Sequence, residues 1–115
     1  MELPAVLHRE VTGDSARAEL DIRSDLGWFT GHFPGHPILP GVVQIAWVVH
    51  FSGEIFGYGP NVSVVEQLKF KRPIGPGREI SLLLTRRPAD RAVSFEYRDA
   101  RASFSSGSLR FKSSA

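Results

Sequence analysis

Between Pro40-Gly41 and the glycines at 57 and 59, the chain runs from Val42 to Phe56 with only Gln44, His50, Ser52 and Glu54 polar. This fifteen-residue run is longer than a typical strand, and a Pro-Gly entry with a glycine stop is helix punctuation. A helix that is apolar on most of its faces belongs in a core. The rest of the chain therefore has to cover it, and that requirement limits the fold class.

The cover reads as β-structure. Residues 4–11 and 15–23 alternate apolar and polar side chains around Thr12-Gly13-Asp14, a hairpin pattern. Residues 25–41 read as loop, dense in proline and glycine. Strands are predicted at 62–72, 78–87, 92–98 and 102–112, joined by the turn-like IGPG, PADR and Asp99-Ala100. The last residues of the serine-rich end, SSGSLRFKSSA, are expected to fray. An α+β domain over 1–115, with a curved antiparallel sheet around one central helix, accommodates this order. A domain of this size buries only about two-thirds of its unfolded surface, so edge-to-edge pairing into a dimer is expected.

Several classes fall away. There is no cysteine, hence no disulfide and no thiol nucleophile. The N-terminal MELPAVLHREV lacks the basic-then-apolar order of a signal peptide, and no run reaches the ~20 apolar residues of a membrane span, so a cytoplasmic protein is expected. Charge is uneven: residues 1–68 hold three arginines against eight carboxylates, residues 69–115 eleven lysines and arginines against four. The plain reading is solvated strand edges; the functional one is a face for an anionic partner. Nucleic acid is not expected, since no recognition-helix or RNA-binding motif is present.

Residues 31–41, GHFPGHPILPG, gather three prolines, three glycines and two histidines at the entrance to the helix. Proline fixes φ, while glycine permits close approach by a ligand. Such a loop can hold His32 or His36 in place beside the positive helix end, where free N–H groups bind developing negative charge. That pairing suggests a base with an oxyanion site. A metal site at His32 and His36 is not expected, because no further ligand accompanies them.

The run His32-Phe33-Pro34-Gly35-x-Pro37-x-x-Pro40-Gly41 resembles the hotdog-fold 3-hydroxyacyl-ACP dehydratases of fatty-acid synthesis. Residues 66–79, EQLKFKRPIGPGRE, are similar to that family's acidic-x-x-x-Phe-x-x-Pro-x-x-Pro-Gly strand and turn. The Val43-Gln44-x-x-Trp47 variant is most like the dehydratase-like branch of aryl-polyene pigment clusters. The resemblance implies a hotdog fold and an acyl carrier protein or CoA thioester as substrate, with no cofactor. It also implies a homodimer or higher homo-oligomer, or else a heterodimer. By the same resemblance His32 removes the α-proton, the Gly41 N–H binds the thioester oxygen, and Phe33, Pro34, Gly35 and Trp47 lie against substrate.

In that family an Asp or Glu five residues after the glycine comes from the opposite subunit and helps protonate the departing hydroxyl. Here that position is Ala46. On a helix Gln44 points about 200° away from position 46, whereas His50 is about 40° off and roughly 6 Å further along. His50 is thus the candidate substitute acid, against its plainer reading as a hydrogen-bonded helix histidine. Glu66 matches an acidic position of the family and is expected to pair with Lys69 or Arg72. Trp28, Phe29, Phe33, Trp47 and Phe51 read either as an acyl tunnel or as core packing. Lys69, Lys71 and Arg72 are candidate contacts for an acidic carrier protein. The readings left open are a dehydratase, a non-catalytic or partner-dependent acyl-binding subunit, and a hotdog thioesterase, because fold alone does not fix function.

Overall fold

A computed structural model describes residues 1–29, 35 and 37–113. Among them, six strands form one antiparallel sheet in the order β1-β2-β4-β5-β6-β3: β1 (Ala5–Thr12), β2 (Ser15–Ile22), β3 (Val62–Phe70), β4 (Arg78–Arg87), β5 (Ala92–Arg98) and β6 (Ser103–Phe111). The helix α1 (Gly41–Phe56) lies between the first hairpin and the other four strands in sequence. The expected hairpin, helix and strands are all present, with ends within two residues of the sequence reading. The serine-rich segment is mostly strand: Ser103–Phe111 pairs with both β5 and β3.

Strand periodicity explains the core. Ala16, Ala18, Leu20 and Ile22 alternate inward along β2, as do Ile80, Leu82 and Leu84 along β4. From β5 and β6 come Phe95, Tyr97, Leu109 and Phe111. The helix meets this surface with Val43, Gln44, Trp47, Val48, Phe51 and Ser52, the one-face spacing of a 3.6-residue period. It ends at Gly57, whose φ of +74° lets its N–H reach Gly53 O at 3.0 Å, with Tyr58 N–H on Ser52 O at 3.3 Å.

One expectation needs correcting. The helix is apolar nearly all round, but the sheet covers only one side of it. Val42 is 76% exposed, and Ile45, Ala46 and Val49 are only partly covered. Next to it, β3 is an edge strand with Val64, Val65, Leu68 and Phe70 all exposed. A bulge between Glu66 and Lys69 holds Gln67 at a φ of +53°, a left-handed conformation that costs a non-glycine residue. Glu66 pairs with Arg110 at 3.1 Å, and not with Lys69 or Arg72, because register sets it against the outer side of β6.

Candidate active site

Two segments far apart in sequence meet at the start of α1. Leu39 N–H donates to Ile74 O at 2.8 Å, and both side chains are buried, at 2% and 0% exposure. The Pro73–Gly77 turn is held in turn by Gly77 N–H on Ile22 O. Pro40 then forms the N-cap with φ −59° and ψ 144°, and no side chain caps the helix. Val43 and Gln44 N–H fold back on Pro40 O, each at 3.1 Å. The amides of Gly41 and Val42 have no partner inside the helix. The first turn carries no acidic residue, so no side-chain charge offsets the positive helix end.

Beside Gly41 lies a cavity of about 340 Å³ walled by Ile38, Gln44, Phe70, Lys71 and Arg72. Phe70 comes so close that a Cβ on Gly41 would fall 2.6 Å from its Cζ. The site therefore needs a glycine there for space, in addition to any need of a ligand. Gln44 fixes the same turn: Nε2 donates to Leu39 O at 3.1 Å, Oε1 accepts from Ser105 Oγ at 2.6 Å, and its carbonyl accepts from Tyr97 OH at 2.7 Å. Burial pushes the Tyr97 phenol well above its ordinary range, so it stays a donor. Sequence reasoning gave neither Phe70 nor Gln44 this role. The available signal was a lone amide early in an apolar helical run.

The far side of the helix carries a second, larger groove of about 730 Å³. Ala46 and His50 line it with Val49, Glu54 and Tyr58. His50 Nε2 lies 2.5 Å from Glu54 Oε2, and Arg9 of β1 donates to Glu54 Oε1 at 2.9 Å. The Arg9 hydrogen bond, then the neighbouring imidazole, hold the Glu54 carboxyl below its usual range. Among the described residues none lines both cavities, and within one chain the Gly41 side and the Ala46 side face apart.

Of the other expected residues, Gly35 is described and has a φ of +86°, while His32, Phe33 and Pro34 lie outside the described residues, as does His36. Trp47, expected against substrate, sits in the core at 0% exposure. Its indole N–H donates to Glu2 O at 3.0 Å, and that carbonyl also accepts from Trp28 Nε1 at 2.9 Å. Phe51 is likewise core. Lys71 and Arg72 flank the Gly41 cavity, whereas Lys69 lines a separate groove with Ser94 and Ser106. Four of the eleven basic residues of 69–115 are in ion pairs, Arg78–Asp99, Arg86–Asp14, Arg98–Glu96 and Arg110–Glu66; among the described residues the other seven, Lys71, Arg72 and Arg101 with them, form none.

Residues 8–108 match the family model for ApeI-like proteins, described as ApeI dehydratase. A chain of the dehydratase heterocomplex ApeI:P from Xenorhabdus doucetiae superposes with a TM-score of 0.90 at 33% identity, covering 97% of this chain and 100% of that one. A 3-hydroxyacyl-[acyl-carrier-protein] dehydratase FabZ of Fusobacterium nucleatum is 31% identical over 77 residues, 63% of this chain and 55% of the relative. The chain spans about half the length of the curated relatives it matches. The dehydratase domain of a mycocerosic acid synthase-like polyketide synthase shares the fold, with a TM-score of 0.71 at 15% identity over 100% of this chain and 42% of that one. The curved sheet around one helix is thus the hotdog fold.

Proposed function

The chain belongs to the ApeI-like dehydratase family, and we propose that it eliminates water from 3-hydroxyacyl thioesters delivered by an acyl carrier protein. The observation that carries this reading is Gly41, the first residue of a helix that no side chain caps, beside a cavity walled by Phe70. There the Gly41 N–H receives the thioester oxygen as negative charge develops on it. His32 removes the α-proton, and Phe33, Pro34 and Gly35 shape the loop around the acyl group.

The bare edge of β3 and the uncovered face of α1 support assembly with a second hotdog chain, in the first instance another copy. Because the Gly41 and Ala46 sides face apart, a partner's helix completes each site. The solved relative from Xenorhabdus doucetiae is a heterocomplex, which makes a different partner chain the alternative. Lys71 and Arg72 beside Gly41, with Arg101 in an adjoining cavity of about 540 Å³ that shares Arg72 and Pro73, suit the phosphate of a carrier arm and an acidic carrier surface.

Ala46 favours a second reading, an acyl-binding subunit whose acid is supplied by a partner. Mass spectrometry of 3-hydroxyacyl-ACP after incubation tests both. Loss of one water by the parent and none by His32→Ala supports the dehydratase. Turnover only after Ala46→Asp, or only with a second chain, supports the partner-dependent subunit.

A further inference from the structure

We propose that His50 supplies the proton that Ala46 cannot, held for that task by Glu54 and Arg9; the inference rests on the dehydratase reading above. Side chains on a helix lean toward its N-terminus, so each covers the turn before its own Cα. His50 therefore leans over the turn that contains Ala46, whose side chain is only a methyl group. Both residues line the same groove, with Val49 between them. His50 remains 30% exposed, so its ring is within reach of a ligand, and the edge of the Phe51 ring packs against it at 5.3 Å between centroids.

The other end of the imidazole is confined, with Nε2 buried. Glu54 leans back along the helix to within 2.5 Å of Nε2, and the Arg9 guanidinium secures its second oxygen from β1. A carboxylate this close to Nε2 is placed to hold the ring once that nitrogen carries a proton, which leaves Nδ1 for proton transfer. The Arg9 hydrogen bond also holds the Glu54 carboxyl below its usual range, so an anion faces the ring.

The chemistry balances without a further reactant. The Cα–H bond breaks to His32 of the copy that supplies Gly41, the Cα–Cβ double bond forms, and the Cβ–O bond breaks with the proton from His50 on the helix of a second copy completing water. His32 then loses a proton to solvent and His50 gains one.

The test uses the full chain and a panel of aliphatic and aryl 3-hydroxyacyl-ACPs, measuring kcat and KM separately. His50→Ala is expected to lower kcat by about 10²–10⁴ with KM within a fewfold. His50→Gln, which preserves bulk and a hydrogen bond, should be as slow. Ala46→Asp placed in His50→Ala should restore turnover, a rescue that a merely structural histidine would not show. A parent that dehydrates and an unimpaired His50→Ala would overturn the inference and leave the dehydratase reading standing. So would a parent that is inactive until Ala46→Asp is introduced. If neither the parent nor Ala46→Asp loses water from any substrate, the dehydratase reading fails and this inference with it.

Discussion

The Phe70 ring occupies the space that a side chain on Gly41 would need, with Cζ, Cε1 and Cε2 at 2.6, 2.9 and 3.1 Å from the position of a Cβ. This glycine has no positive φ to explain it. Close packing against a residue of the second sequence motif accounts for it. The sensitivity of Gly41 to substitution should therefore depend on Phe70.

Gly41→Ala is expected to destabilise the chain by about 1–3 kcal/mol through overpacking, moderated by the half-exposed ring swinging aside. In Phe70→Ala the same change should be neutral or stabilising, because alanine is the better helix former by up to about 1 kcal/mol. A double-mutant cycle in urea measures the coupling, and strict additivity would contradict the packing account.

Gln44→Leu preserves volume but strands Leu39 O and the Ser105 hydroxyl, both in buried surroundings. The expected loss is about 1–3 kcal/mol for each group left unpaired, read from urea midpoints. Its neighbour Tyr97 gives a pH signature. The folded pKa is raised, so the protonated phenol favours the folded state below the unfolded value of about 10. That contribution fades as pH climbs above it. Tyr97→Phe should lower stability by about 1 kcal/mol at neutral pH, and should flatten the alkaline decline in melting temperature.

Assembly through β3 and the bare side of α1 predicts a parent that sediments as a dimer or larger. Leu68→Glu and Val42→Asp, both at exposed positions, should shift it toward monomer while leaving the circular dichroism spectrum unchanged. A parent that sediments as a monomer at high concentration would remove the support for a site shared between two copies.

The basic residues near Gly41 should matter for the carrier and not for the chemistry. Arg72→Ala and Arg101→Ala are each expected to raise KM for 3-hydroxyacyl-ACP about two- to fivefold, with the effect shrinking in high salt. KM for the corresponding pantetheine thioester, which lacks the carrier surface, should barely move. Lys69→Ala, on its separate groove, is the internal control.

The hairpin, the helix and the strands could be read from the sequence because each is set by local periodicity and by Gly and Pro at its ends. What the sequence left open depends on contacts between distant residues. Nothing local pairs Glu66 with Arg110, for that follows from β3 lying against β6. Trp47 reads equally well as tunnel wall or core until the Glu2 carbonyl is found over its indole N–H. The helix had the composition of a fully buried element, yet Val42 is bare and Ile45, Ala46 and Val49 are only partly covered, because one sheet covers only one side. The proline-glycine motif located the Gly41 end of the site, and helical angle alone put His50 on the side of Ala46. The Arg9–Glu54 support for His50 required the fold, since Arg9 arrives from a strand some forty-five positions earlier.

The hydrogen bond from Leu39 to Ile74 has a practical bearing on anyone exchanging parts between relatives. It fastens the approach to the helix onto the turn between β3 and β4, so the two segments behave as one interlocking piece. A chimera that imports either segment alone inherits a mismatched joint at the helix entrance, whatever the quality of the donor. Transplanted together, they carry their own alignment with them.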